Sequence, residues 1–497
     1  MDLLSHLKKS EVILGGRALD ADAYTLTFAQ DGIRLRTGAA EFVRLTFSVA
    51  LDSGCAVLGD AFERTYGDAC FRPKSEILGK PLPWYLIAQS GERFVCFGVT
   101  VRPDAFAFWQ VEEDALVLTC NVCSGPDPVE LGGRELNLGS LVACEGDGSF
   151  LTVGREFCRA MCRDGILPKH HVYGSNNWYY AYGKSSQAEI LEDADYLAEL
   201  TRGIENRPYL VIDDCWEKNR CAGPWDELND RFSDMASLCR SIQAKDLHAG
   251  IWLRPLYYVG VEFPEEWILA REGEGVVLDI TVPAAREYVL SAFRRLRDWG
   301  YELIKYDFVF RDLTGSYAPS FDPTAGCGKF RFADRTKTTA EIMTEFARDV
   351  KKTVGKDVIL IGCNTSSHLS AGYIELSRTG DDTSGRAWGP TKKMGINTLA
   401  YRLIQNGIFY ECDADCVGLT ENVEWEKNKI WLTLLTASGT PLFLSSRRGV
   451  ANDAQKAFLH ECFVENNRPH TFEPVLRVGE LTPDTYLIDG ERNVFDI

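Results

Sequence analysis

At 497 residues the chain is too long for one ordinary domain, and with 45% hydrophobic and 25% charged residues it has the composition of a globular protein with ample core material. A formal net charge of −18 argues against nucleic acid or an anionic membrane as partner, and neither is expected. The N-terminal stretch Met1 to Lys9 has no basic region followed by an apolar core, and no apolar run is long enough to span a bilayer; the expectation is a cytoplasmic protein.

Residues 1–165 read as short strands between Gly, Asp and Pro turns. Val43, Leu45, Phe47, Val49 and Leu51 alternate with polar residues, and Leu116, Leu118 and Cys120 repeat the pattern after an acidic turn. One short helix is expected, near Glu156 to Arg163. Many strands without helices between them imply a β-sandwich that braces its neighbour or binds substrate. The sixteen cysteines are expected to be free thiols in a large chain without an export signal. Cys120 and Cys123 form a lone CxxC without a second pair at zinc spacing, and Cys158/Cys162 and Cys412/Cys416 are read likewise as packing residues.

From residue 166 to 445 strand and helix alternate. The candidate strands are His171–Ser175, Tyr209–Asp214, His248–Arg254, Tyr301–Asp307, Val358–Cys363, Tyr373–Arg378, Ile408–Cys412 and Thr440–Leu444. Ile190, Leu191, Ala194, Leu197 and Leu200 share one helical face. Val289, Ala292, Phe293, Leu296 and Trp299 share another, opened by Pro283 and stopped by Gly300. Eight such alternations match a (β/α)8 TIM barrel. The competing doubly wound sheet would show a glycine-rich phosphate turn after its first strand, which Gly174 to Trp178 does not supply. Residues 446–497 read as a short C-terminal β segment.

A barrel places its chemistry at the carboxyl ends of the strands. Here those ends carry Asn176, Asn177 and Trp178; Asp213, Asp214 and Trp216; Trp252 and Arg254; Lys305 and Asp307; Cys363 and Asn364; Arg378, Asp381 and Asp382; then Asp413 and Asp415. Converging carboxylates need a polar ligand or paired cations, and the bland alternative is a structural ion-pair network. Trp178, Trp216 and Trp252 suit the apolar face of a sugar, although each alone reads as well as core. No histidine accompanies the carboxylates, so no metal and no cofactor is expected. Two carboxylates on different strands, one beside a lysine and one beside an arginine, are what glycoside hydrolysis requires. Lys305 is expected to keep Asp307 ionised.

At these residues the sequence resembles the α-galactosidase clan, glycoside hydrolase families 27 and 36, and in its domain order family 36. Tyr209 to Trp216 is similar to the strand-2 motif, Lys305-Tyr306-Asp307 to the strand-4 motif, and Arg378 to Thr383 followed by Trp388-Gly389 to the acid/base segment. The resemblance implies Asp307 as nucleophile and Asp382 as general acid/base, with Asp381 a supporting residue. It implies a sugar held by Asp213, Asp214, Lys305, Arg378, Trp178, Trp216, Trp252, Cys363 and Asn364. The implied activity is retaining exo-hydrolysis of terminal α-galactosyl groups from an oligosaccharide or glycoconjugate. Three alternatives stay open: an α-N-acetylgalactosaminidase or galactosaminidase, suggested by the small residues Thr365 to Ala371 after strand 5; an α-galactosyl transglycosidase; and an inactive carbohydrate-binding relative. The oligomeric state is left open.

Overall fold

Short apolar runs separated by amphipathic helices can bury both faces only by pairing in parallel, and the second part of the chain does so. The computed structural model describes residues 2–29, 31–318 and 327–497. Its strands β1 (Tyr173–Asn176), β2 (Tyr209–Ile212), β3 (His248–Leu253), β4 (Leu303–Tyr306), β5 (Ile359–Gly362) and β6 (Leu376–Arg378) pair in sequence, all parallel. β7 comes in two pieces, Glu411–Asp413 against β6 and Val417–Gly418 against β8 (Leu442–Ser445), and β8 returns to β1. The two ends of the sheet are thus parts of one interrupted strand, and the sheet closes on itself. The interruption is at Asp415, whose φ of 77° is left-handed.

The helices between the strands use local signals visible in the sequence. Gln187–Leu200 opens with a capping box between Ser186 and Glu189, and Thr339–Val354 with one between Thr338 and Glu341. Pro283–Asp298 starts on its proline and buries Val289, Ala292, Phe293 and Leu296. The stretch after residue 446 departs from the expected β segment. It begins with a helix, Asp453–Asn466, and only then forms a three-stranded antiparallel sheet from Phe472–Pro474, Thr485–Ile488 and Glu491–Val494. The helix buries Leu459, Cys462, Phe463 and Asn466, a 3–4 spacing that the sequence already contained. It packs on the barrel: the Phe463 ring lies 5.5 Å from that of Tyr173, and Asn466 Nδ2 donates to Leu435 O and Thr440 O.

Before the barrel, antiparallel sheets share a core. Phe42–Phe47 and Leu116–Asn121 are central in one of six strands, and Tyr85–Ser90 and Arg93–Val99 are inner strands of one of five. Trp109 joins them, with ring centroids 6.0 Å from Phe47 and 6.1 Å from Phe97. Leu116–Asn121 is buried along its whole length instead of alternating, because both faces of this central strand are covered. The expected short helix is Phe150–Met161, longer than its sequence signal. This β region docks on the barrel through buried groups: Trp84 stacks on His368 at 4.6 Å, Phe106 meets Phe310 edge-on, and Asp60 pairs with Arg402 at 3.0 Å. Among the described residues no helix is long and apolar enough to cross a membrane.

Candidate active site

The mouth of the barrel is built on chain reversals that follow the strands. Cys215, Phe308, Asn364 and Asp415 have φ of 81°, 63°, 51° and 77°, all left-handed and none glycine. Such conformations cost on the order of 1–2 kcal/mol each and gather where function demands them. At β4 the reversal at Phe308 sets Asp307 just past the end of the strand. Its Oδ1 accepts from Phe308 N at 2.7 Å and its Oδ2 from Trp252 Nε1 at 3.3 Å, the indole coming from the neighbouring position on β3. Two N–H donors thus fix both oxygens of the carboxylate.

Lys305 does not serve Asp307 as expected. Its ammonium donates to Asp213 Oδ2 at 2.7 Å, an oxygen that also accepts from Asn176 Nδ2 at 2.7 Å. The strand ends at Tyr306 and Asp307 leaves the pleat, so the simple alternation that put both side chains together fails at its last residue. Burial opposes the lysine's charge, but the Asp213 carboxylate more than compensates and holds its pKa well above the ordinary value. Asp214 is buried beside Glu217. Burial, the Asp214 charge and a hydrogen bond to Asp214 push the Glu217 pKa well up, and burial raises that of Asp214 too.

Arg378, expected to face the sugar, is 2% exposed. Its Nη2 reaches Asp415 Oδ2 at 2.8 Å, Asp381 O at 3.1 Å and Asp382 Oδ1 at 3.3 Å. It therefore sits beneath the β6 segment and holds it. Asp415 completes that support by accepting from Thr383 N at 2.8 Å and from the Tyr179 hydroxyl. The Asp382 side chain stays 51% exposed while lying deep among protein atoms. Burial, reinforced by the Asp415 charge, raises its pKa against the pull of Arg378. Asp381, its neighbour, turns to a different partner, Arg64 Nη2 at 2.9 Å.

Two expected sugar platforms are core. Trp216 is fully buried, donating to Trp252 O at 2.9 Å, because the reversal at Cys215 turns it inward. Trp252 is 2% exposed and offers Asp307 its N–H, not its face. Trp178 is half-buried at the end of β1, its ring 5.8 Å from that of Tyr182. Arg254 is committed to Asp312 by a two-pronged pair at 2.6 and 2.9 Å. Cys363 lies buried under Arg378, with Nη1 3.7 Å from its sulfur. Asn364 is taken up by other partners: its side-chain amide donates to Glu63 and its side-chain oxygen accepts from Arg311 N.

Glu63 and Arg64 belong to the β region, and reading the barrel alone missed them. The small side chains after β5 are not open space beside a sugar. Thr365, Ser366, Ser367 and Ser370 are buried, Ser366 Oγ donates to Phe62 O at 2.9 Å, and Ser367 Oγ donates to Glu63 O at 3.4 Å. The cue lay in Glu63-Arg64, adjacent charges flanked by aromatics in a stretch otherwise of strands and turns. Among the described residues no group of three His, Cys, Asp or Glu side chains could hold a metal ion.

Compared with known proteins, no family model matches the chain. Its structure aligns with the α-galactosidase TtGalA from Thermus thermophilus, in complex with p-nitrophenyl α-D-galactopyranoside, at a TM-score of 0.67 and 18% identity, over 98% of this chain and 99% of that one. The fold is that of the family 36 α-galactosidases. A variant of the GH36 α-galactosidase AgaA from Geobacillus stearothermophilus, in complex with 1-deoxygalactonojirimycin, aligns at 0.63 and 14% identity over 92% of this chain and 68% of that one. The galactosidase domain of the α-galactosidase–sucrose kinase AgaSK aligns at 0.60 and 14%, over 97% and 77%. At these identities the likeness is one of architecture.

Proposed function

We propose that the chain is a retaining exo-glycosidase that removes terminal α-galactosyl groups from an oligosaccharide or glycoconjugate. One observation carries the reading: the barrel mouth holds two carboxylates in opposite environments. Asp307 has an N–H donor on each oxygen, an environment that suits a nucleophile. Asp382 is pushed toward its neutral form, which suits an acid. Asp307 attacks the anomeric carbon as the glycosidic C–O bond breaks, and Asp382 passes its proton to the departing oxygen. Water, deprotonated by Asp382, then displaces Asp307 from the glycosyl-enzyme. Asp213 and Asp214 accept from hydroxyls at the far end of the sugar, with the Lys305 ammonium fixing Asp213.

The fold likeness to structures of α-galactosidases supports the galacto configuration. The resemblance at Tyr209 to Trp216 supports it independently. The filled space beyond β5 speaks against a 2-acetamido sugar. The test is a panel of nitrophenyl α-glycosides with the products followed by NMR. The α-galactoside should be cleaved fastest, and the α-anomer should appear first. Faster cleavage of the α-glucoside refutes the sugar, and a first-formed β-anomer refutes the mechanism.

A further inference from the structure

The β region does more than brace the barrel. The segment Phe62 to Tyr66 lies across the ends of β5 and β6. Arg402 Nη1 donates to Glu63 O at 3.2 Å, Thr65 N to Thr379 O at 2.9 Å, and Asp381 N to Thr65 O at 3.1 Å. This backbone pairing fixes where the side chain between them goes. The Arg64 guanidinium ends with Nη2 2.9 Å from Asp381 Oδ1 and Nη1 4.0 Å from Cys363 Sγ, flanked by the rings of Tyr66 and Tyr317. Its Nε has no hydrogen-bond partner among the described residues. Burial works against its charge, yet neighbouring acidic groups, Asp381 and Asp307 among them, hold it firmly protonated.

We infer that Arg64 is a specificity-determining residue that donates to the 2-hydroxyl of the bound sugar. The inference rests on the functional reading above. With the anomeric carbon over Asp307 and, as the motif resemblance at Tyr209 to Trp216 implies, the 4- and 6-hydroxyl side of the ring against Asp213 and Asp214, the orientation is set. The two ring neighbours of the anomeric carbon are the ring oxygen, on the C6 side, and C2, on the other. C2 therefore faces the β5–β6 side, where, among the described residues, the Arg64 guanidinium keeps an unpartnered Nε; Arg378 also keeps a free Nε but is held beneath the β6 segment by Asp415, and Lys305 is on Asp213. A guanidinium brings several fixed donors, and Asp381 orients it. The serines behind it are buried, and Ser366 is hydrogen-bonded to the β region, which disfavours an acetamido group there.

Kinetics of the full chain with p-nitrophenyl α-galactoside and its 2-deoxy analogue test this. The wild type should prefer the galactoside on the order of 100-fold in kcat/KM, the worth of a charge-assisted hydrogen bond. Arg64→Gln should lose most of that factor on the galactoside while changing the 2-deoxy substrate little. Arg64→Lys, which keeps the charge and the Asp381 pair, should fall between. Equal losses on both substrates would make Arg64 a residue of domain docking only and overturn the inference. So would a wild type indifferent to the 2-hydroxyl, a result that depends on no variant folding. A wild type inactive on every α-galactoside would instead overturn the functional reading, and this one with it.

Discussion

Between β2 and β4 the polar groups of the mouth find their partners inside the barrel: Asp213 takes Lys305 and Asn176, and Asp307 takes Trp252 and its own chain reversal. Between β5 and β6 the partners come from elsewhere. Asn364 bonds Glu63 across 301 positions of sequence, and Asp381 meets Arg64. One wall is complete with the barrel; the other exists only after two regions dock. On the proposed reading the first wall carries Asp307 with Asp213 and Asp214, and the second carries Asp382 with Arg64 behind it.

The sharpest way to break this division is to attack the self-contained wall. Asp307→Asn keeps the size of the side chain and an acceptor for one of the two N–H donors, Phe308 N and Trp252 Nε1, and should fold with an unchanged circular dichroism spectrum. Its turnover should nevertheless fall ~10³-fold or more, since no covalent step remains. Turnover near wild type would remove Asp307 from the mechanism. Asp382→Ala should lose on the order of 10²–10⁴-fold on a natural oligosaccharide but far less on an activated aryl glycoside, and azide should restore the aryl reaction as α-galactosyl azide. The same behaviour from Asp381→Ala, and not from Asp382→Ala, would reverse the two roles.

The same division explains what could be read from sequence. All eight strands were legible to within a few residues, because a buried parallel strand is a short apolar run and the helices between have a different period. Asp307 and Asp382 were legible as strand-end carboxylates. Side-chain partnership was not. Lys305 stands two residues from Asp307, yet its charge goes to Asp213, 92 positions away, because the strand ends between them. Trp216 and Trp252 looked like platforms, but aromatic character alone does not tell a stacking face from a buried ring with one N–H to place. Nothing in the barrel sequence announced Arg64, whose position depends on backbone pairing between Thr65 and the β6 extension.

The docked wall can be tested for stability apart from catalysis. Asp60 and Arg402 are both buried where the β region meets the barrel, joined at 3.0 Å, and Gln405 donates to Asp60 at 2.8 Å. Burial raises the Asp60 pKa and Arg402 opposes it. Arg402→Met would strand a buried carboxylate, at a cost of about 3–5 kcal/mol. Denaturant melts should show that loss, with the first wall's contribution intact in whatever fraction stays folded. A change below about 1 kcal/mol would mean that the pair is not what holds the regions together.

The smallest expected effect is a pH dependence seated in Glu63. This carboxyl is fully buried, accepts from Tyr66, Asn364 and Ala318 N, and lies near Arg64 and Asp381. Burial outweighs the Arg64 charge and the hydrogen bonds, raising its pKa from 4.5 to about 7. Between those two values the folded chain binds more protons at this site than the unfolded chain, so stability must fall as pH rises. The contribution is fully present below pH 4.5 and is gone above about 7, a span of about 3 kcal/mol. Other buried acids titrate in the same range, so the measurement is the difference between wild type and Glu63→Gln, which imitates the protonated form. The wild type should lose stability relative to the variant as pH is taken from 4.5 to 7.5, and the two curves should run parallel outside that window. Parallel curves throughout would mean that Glu63 is ionised in the folded protein, and the docked wall would then carry a second buried ion pair with Arg64.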